Sequence, residues 1–382
     1  MTKMIKLSLA AAVAVAGFTT SAAAADLSNT TFSGKVEVEY DYSSKKVDSG
    51  DETTTNKYDL DIDVKAKTKI SDTWTSIVVV QADTAPDVKT GNADGGNKAN
   101  VDIPVMLFQY SNGTTTAKIG RQGGLNATPF FDDERGDGAV VLHTVGPVTL
   151  AAAHFDNVNF GLIANDTATT PGTTNPVQAT LNDNPVNAIA AIGSFGPVNA
   201  SLWFADVSNT LDAASLNLNG KFGIVSVDLT HTELEVEKAY VGTATGLSKD
   251  NSLTKLVVSA PVGPVTLTAG YGTTDKKGGL VAFNNDASAA FTLDNVSLNG
   301  QADADAILLA VSGKIGAVTA SLSFLDADLA GKAKADEMLV KVAYPLAKAL
   351  KLTASYSDYS VTDAGSVKTD SAAASVALEY KF

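Results

Sequence analysis

Both arginines of this 382-residue chain, Arg121 and Arg135, fall inside one stretch, IGRQGGLNATPFFDDERGDG (119–138). Four acids stand beside the second: Asp132, Asp133, Glu134 and Asp137. Three chemistries suit such a set. A guanidinium pairs with carboxylates through parallel hydrogen bonds. Carboxylate oxygens are the ligands a divalent cation such as calcium takes, so Asp132, Asp133 and Glu134 could hold one. Fixed charge beside a water-filled path decides which ions pass. A solvated surface loop with a local ion pair is the plainer alternative.

Other reactive side chains suggest less. Asp59, Asp61 and Asp63 begin like a calcium loop, but Val64 and Ile70 stand where that loop needs glycine and glutamate. His143, His154 and His231 stand singly, without ligand spacing. No nucleophile elbow, P-loop or dinucleotide glycine motif occurs, and GNADGGNK (91–98) resembles a phosphate loop only in its glycines. The chain is therefore not expected to be an enzyme. No cofactor is expected beyond that one cation.

The elements that must position these charges follow from composition and period. Residues 1–25 read as a cleaved signal peptide: Lys3 and Lys6, an apolar core over 7–18, then TSAAAA. The domain expected after it is a single one, 26–382. The chain has no cysteine, so neither disulfides nor thiolate metal sites are available. A net charge of −14 argues against nucleic acid as a partner.

Period-two alternation recurs from end to end. Phe32, Val36, Val38, Tyr40 and Tyr42 share one face, and Lys35, Glu37, Glu39 and Asp41 the other. Tyr58, Leu60, Ile62 and Val64 oppose Asp59, Asp61, Asp63, Lys65 and Lys67. Val376, Leu378, Tyr380 and Phe382 alternate with polar or small residues at the end of the chain. Eight hairpins are expected, at 57–83, 101–121, 138–156, 186–206, 213–233, 253–273, 304–326 and 335–359, three of them turning at Gly-Pro pairs. Lone strands at 32–42 and 371–382 bring the count to about 18, with 16 the alternative. Longer polar segments separate the hairpins.

Strands of about ten residues, with one apolar face, short turns at one end and long loops at the other, describe an all-β transmembrane antiparallel β-barrel. A closed sheet pairs every backbone group inside the hydrocarbon. Short turns then face the periplasm and long loops the exterior. The interior is aqueous at roughly 16–18 strands. The polar face, with Glu37, Glu39, Asp59, Asp61, Asp63, Lys65, Lys67 and Lys118, lines it. Trp74, Trp203, Tyr58, Tyr110 and Tyr344 suit interfacial aromatic girdles.

On the signal peptide, the strand–loop rhythm and the terminal Val376, Leu378, Tyr380 and Phe382, the chain resembles Gram-negative outer-membrane porins, most of all the campylobacter-type major outer membrane porins. The resemblance implies an outer-membrane channel for small hydrophilic solutes and ions. It implies outer-membrane lipid and the barrel-assembly machinery as partners, the latter reading the terminal strand. It also implies a homotrimer. Porins commonly fold their third loop inward, which here makes residues 122–137 the candidate constriction, lined by Asp132, Asp133, Glu134, Arg135, Asp137 and Arg121. Strict alternation puts Arg121 on the Ile119 side, toward lipid, unless a bulge intervenes. Acidic loops predict a mild cation preference. A substrate-specific channel and a secreted or surface-attached β-rich adhesin remain as alternatives.

Overall fold

A computed structural model describes residues 27–48, 50–83, 100–123, 127–132, 134–158, 161–162, 179–180, 184–241 and 247–382. The signal peptide expected at 1–25, the 91–98 glycine segment and Asp133 lie outside the described residues.

Eighteen strands join one antiparallel sheet. They begin with β1 (Thr30–Val47), β2 (Thr53–Lys69), β3 (Trp74–Asp83), β4 (Asn100–Ser111), β5 (Thr115–Gln122), β6 (Gly136–Val145) and β7 (Val148–Val158). A separate two-residue pair follows, β8 (Gly161–Leu162) with β9 (Ala179–Thr180). The sheet resumes with β10 (Val186–Phe195), β11 (Val198–Val207), β12 (Leu211–Phe222), β13 (Val225–Val236), β14 (Asp250–Val262) and β15 (Val265–Thr274). It ends with β16 (Asp305–Ile315), β17 (Val318–Asp328), β18 (Lys334–Ala347), β19 (Leu350–Thr362) and β20 (Lys368–Lys381).

Each strand pairs with its sequence neighbour, β7 with β10, and β1 pairs with β20 from Lys35↔Lys381 to Val47↔Thr369. The sheet is thus a closed barrel without an edge. The eight hairpins stand where the alternation places them. At the tight turns Gly146, Gly196, Gly223, Gly263 and Gly316 take φ near +60° (57 to 63). That is the first position of a two-residue hairpin turn, where only glycine escapes a steric penalty.

The opening of the chain differs from expectation. β1 and β2 run on past 42 and before 57, so their joint is a short turn at 48–52 and not a long loop. Beyond the apolar band both faces of SSKK and TTTNK are polar, so the amphipathic signal fades while the hydrogen-bond ladder continues.

Exposure follows the barrel logic. Val38, Met106, Phe108, Ile119, Ile189 and Leu309 are exposed large apolar side chains, all on the outer face that lipid covers. Trp74 and Tyr110 pack 5.4 Å apart at the short-turn rim, and Tyr40 and Tyr58 4.8 Å apart toward the other. Trp203 is not in a girdle. It pairs with Ala190 on the inner face and packs against buried side chains, while its neighbour Phe204 faces out.

A candidate constriction inside the barrel

The inward face carries charge on one side and a buried apolar layer on the other. Along β1 and β2 the cross-strand register stacks Lys35↔Asp63, Glu37↔Asp61 and Glu39↔Asp59 on the face opposite the exposed apolar residues. Lys65 and Lys67 follow toward the short-turn end, opposite Ser33 and Thr31. Lys118 joins this face from β5, opposite Gln109. The row of Glu37 and Asp61 extends to Glu379 on β20 and Asp83 on β3. Four adjacent strands thus present an acid side by side. Lys35 lies 3.4 Å from Glu37, and Lys381 3.1 Å from Glu379. Among the described residues Asp61, Asp83 and Glu39 have no ion-pair partner.

From β7 round to β19 the inward face nearer the long loops is instead buried. Phe155, Val186, Leu211, Leu234, Leu253 and Leu325 are each at most 2% exposed. What covers them includes two connections on the long-loop side, the third (L3, residues 123–135) and the seventh (L7, residues 275–304). L7 is apolar for a loop. Leu280, Val281, Phe283, Phe291, Val296 and Leu298 are all buried. It lies inside the barrel as a lining held to the wall at several points. The Phe291 ring rests on Gly270 and Gly272 of β15, where a Cβ at Gly272 would meet the ring at 2.6 Å. The Lys255 ammonium of β14 donates to the Ser288 and Ala290 carbonyls, the latter at 2.7 Å. Asn299 ties the loop to itself, its Oδ1 accepting from the amides of Val281 at 3.0 Å and Ala282 at 3.1 Å.

L3 meets L7 in the lumen. Phe131 stacks on Phe283 at 4.5 Å between ring centroids and 6° between planes. The Phe283 amide donates to the Phe130 carbonyl at 2.9 Å, and the Ala289 amide to the Pro129 carbonyl at 2.9 Å. The Asn284 side chain donates to the Asp132 carbonyl. The candidate constriction is therefore a joint product of the two loops.

The residues expected to line it separate into groups. Arg135 stands in the lumen, its guanidinium donating to Asp102 at 2.6 Å and Gln81 at 2.7 Å on the wall. It borders an open recess of about 530 Å³ shared with Lys35, Asp63, Lys65 and Lys381. Asp132 and Glu134 are half-buried in L3. Arg121 and Asp137 do not line the pore. Arg121 pairs with Met106, 59% exposed to the lipid side, and grips Asp137 through two bonds at 2.9 and 3.1 Å on the outer face. The irregularity on this hairpin, between Asp137 and Gly138, leaves β5 in register, so alternation keeps Arg121 outside. Among the described residues no three His, Asp or Glu side chains come together to hold a metal. The three histidines face outward, His143 bonded to Thr115 at 2.8 Å, His154 to Asn187 at 2.7 Å and His231 to Thr254 at 2.8 Å.

A closed barrel of this size, with a charged inner wall on one side and loops packed against the other, defines an outer-membrane channel. The model of the Campylobacter major outer membrane protein family matches residues 2–381, and the chain belongs to that family. No curated protein matches it. Solved structures of similar fold are outer-membrane channels. Acinetobacter baumannii OccAB3 matches with a TM-score of 0.71 at 13% identity, over 92% of this chain and 99% of that one. Pseudomonas aeruginosa OccK9 (OpdG) matches with 0.71 at 14%, over 93% and 99%. P. aeruginosa OccK2 (OpdF) in complex with glucuronate matches with 0.68 at 14%, over 92% and 98%. The protein is thus a porin-like channel of the outer membrane.

Proposed function

We propose that the channel passes small hydrophilic solutes and ions by diffusion, without chemistry, and prefers cations. The observation that carries this is the acid row across four strands, Glu379, Glu37, Asp61 and Asp83, with Glu39 and Asp59 one step further along, on the inner wall. Fixed carboxylates along a narrowed water path concentrate cations and raise the barrier to anions. Lys65, Lys67 and Lys118 follow toward the short turns, so a permeating ion meets bands of opposite sign in succession. L3 adds Asp132, Glu134 and Arg135 to this path.

The test is the reversal potential in a KCl gradient across a planar bilayer. Glu37→Gln with Asp61→Asn lowers the cation preference, whereas Asp132→Asn with Glu134→Gln lowers it less. Anion preference in the unaltered protein would overturn the proposal.

A second reading is favoured by Lys65, Lys67 and Lys118, which have no ion-pair partner among the described residues. Small carboxylates, such as the glucuronate held by OccK2, would pause at such a band and make their flux saturable. Flux of glucuronate that rises linearly with concentration removes this reading. The terminal Val376, Leu378, Tyr380 and Phe382 are proposed as the strand the assembly machinery reads, and a homotrimer as the assembled state. We propose calcium at Asp132, Asp133 and Glu134 only as an occupant to be titrated.

A further inference from the structure

L7 must be held against the wall, because a loop free to swing would leave the pore width undefined. One wall residue is built for that purpose. Glu337 of β18 points inward and is 0% exposed. A carboxylate so buried is tolerable only when its oxygens are met by donors. Here three consecutive L7 amides supply them: Asp294 N–H at 3.2 Å, Asn295 N–H at 3.0 and 3.1 Å, and Val296 N–H at 2.9 Å. The Asn295 side-chain amide adds a bond at 2.9 Å and Ser357 of β19 one at 2.7 Å. Successive main-chain amides converging on one anion form a nest, a geometry selective for negative charge. Next to it Lys341 of the same strand pairs with Asp294 at 3.2 Å. The segment so gripped is a small closed hairpin, with the Leu298 amide bonded to the Phe291 carbonyl and Thr292 bonded to Ser297.

We propose that Glu337 is the positioning residue that seats the constricting loop, and that the pore is narrow only while its carboxylate holds the amides of residues 294–296. The proposal rests on the channel reading for its functional effect. It can nevertheless be tested without any measurement of current. Ala327 of β17 is 0% exposed and packs in the same buried cluster as Val296 and Leu298, so it is covered while L7 is seated. The chain has no cysteine, so Ala327→Cys supplies a single reporter thiol.

In the detergent-folded full chain carrying Ala327→Cys, the rate of modification by a charged methanethiosulfonate reagent is measured with and without Glu337→Gln. Gln turns an amide N–H₂ toward main-chain donors and removes the charge. Charge-assisted bonds lost on that scale shift the seated-to-open ratio by roughly tenfold or more, and labelling quickens by that factor. Glu337→Asp, which keeps the charge, falls between the two. In bilayers Glu337→Gln raises single-channel conductance. A short bifunctional thiol linker between Asp294→Cys and Lys341→Cys, in the chain without the reporter thiol, returns it to the parent value.

Unchanged labelling in folded Glu337→Gln overturns the proposal. So does a raised conductance that the linker fails to restore. If Glu337→Gln does not fold, Val296→Pro deletes one donor and leaves the barrel wall intact, and the same readings decide. Faster labelling with no channel activity in any variant would sustain the seat and sink the diffusion reading instead.

Discussion

At the scale of single residues, side-chain parity decides role. Arg121 and Arg135 stand fourteen positions apart in one stretch, yet the barrel wall runs between them. Arg121 holds Asp137 on the outer face with both side chains about half-exposed, at 49% and 42%. On a face that lipid covers, a charge left without its partner is destabilising, by about 2–4 kcal/mol for a basic side chain at the bilayer midplane and about 0–1 near the interfaces. Arg121→Ala or Asp137→Ala is therefore expected to leave the reversal potential unchanged and to lower stability. Arg135→Ala removes a positive group from the lumen and frees Asp102, so the cation preference rises. The same bilayer recordings check all three. The parity of Arg121 was readable from Lys118, Ile119 and Gly120 in the sequence. That Asp137 would lie across from it was not, because strand pairing and not spacing sets that contact.

Gly272 makes a second residue-scale case. It is small because Phe291 rests on it, and Gly272→Val drives the ring off its floor. Overpacking costs about 1–3 kcal/mol. It is expected to lower the denaturation temperature in detergent and to increase open-channel noise as L7 loosens. A variant as quiet and as stable as the parent would mean the ring bears no load.

At the scale of elements, the strands were legible and the plug was not. Alternation gives every hairpin, with Gly-Pro pairs marking three of the turns, because the lipid–water contrast across a one-residue-thick wall writes itself as period two. L7 has no period to show. Its signal was of another kind: a connection between two strands containing LVAF and AAF, too apolar for an external loop. Such a segment can hide from water only inside the barrel. The charge-rich L3 carries the stronger sequence signal, yet in the structure it is the smaller partner, bound to L7 through Phe131 and Phe283. Trp203 failed for the complementary reason. Aromatic content alone does not say which side of the wall a ring is on, and its neighbour Phe204 has the outward parity. Replacing residues 280–299 by a short Gly-Ser linker is expected to keep the barrel, since all eighteen strands pair without L7. Conductance should rise as open cross-section is recovered. Loss of β-structure by circular dichroism would show instead that the lining is part of the folding core.

At the scale of the whole molecule, the acids act through the field of the pore. That field is screened over about 10 Å at 0.1 M salt and about 3 Å at 1 M. Cation preference measured across a fixed concentration ratio is therefore expected to fall as total salt rises from 0.1 to 1 M. A preference independent of salt would point to a dehydrated, size-selecting filter and away from wall charge.

The seating of L7 on one side of the barrel also bears on how permeability can change by inheritance. On the proposed path, solutes meet chiefly the charged inner face of β20, β1, β2 and β3, with Arg135 and Lys118 beside it. Among the described residues, interior positions nearer the long loops from β7 round to β19 are buried. Variants that alter uptake should therefore concentrate near residues 35–65, 79–83 and 375–381. Most of the chain can then drift, or change the face it shows the outside world, without altering what it admits.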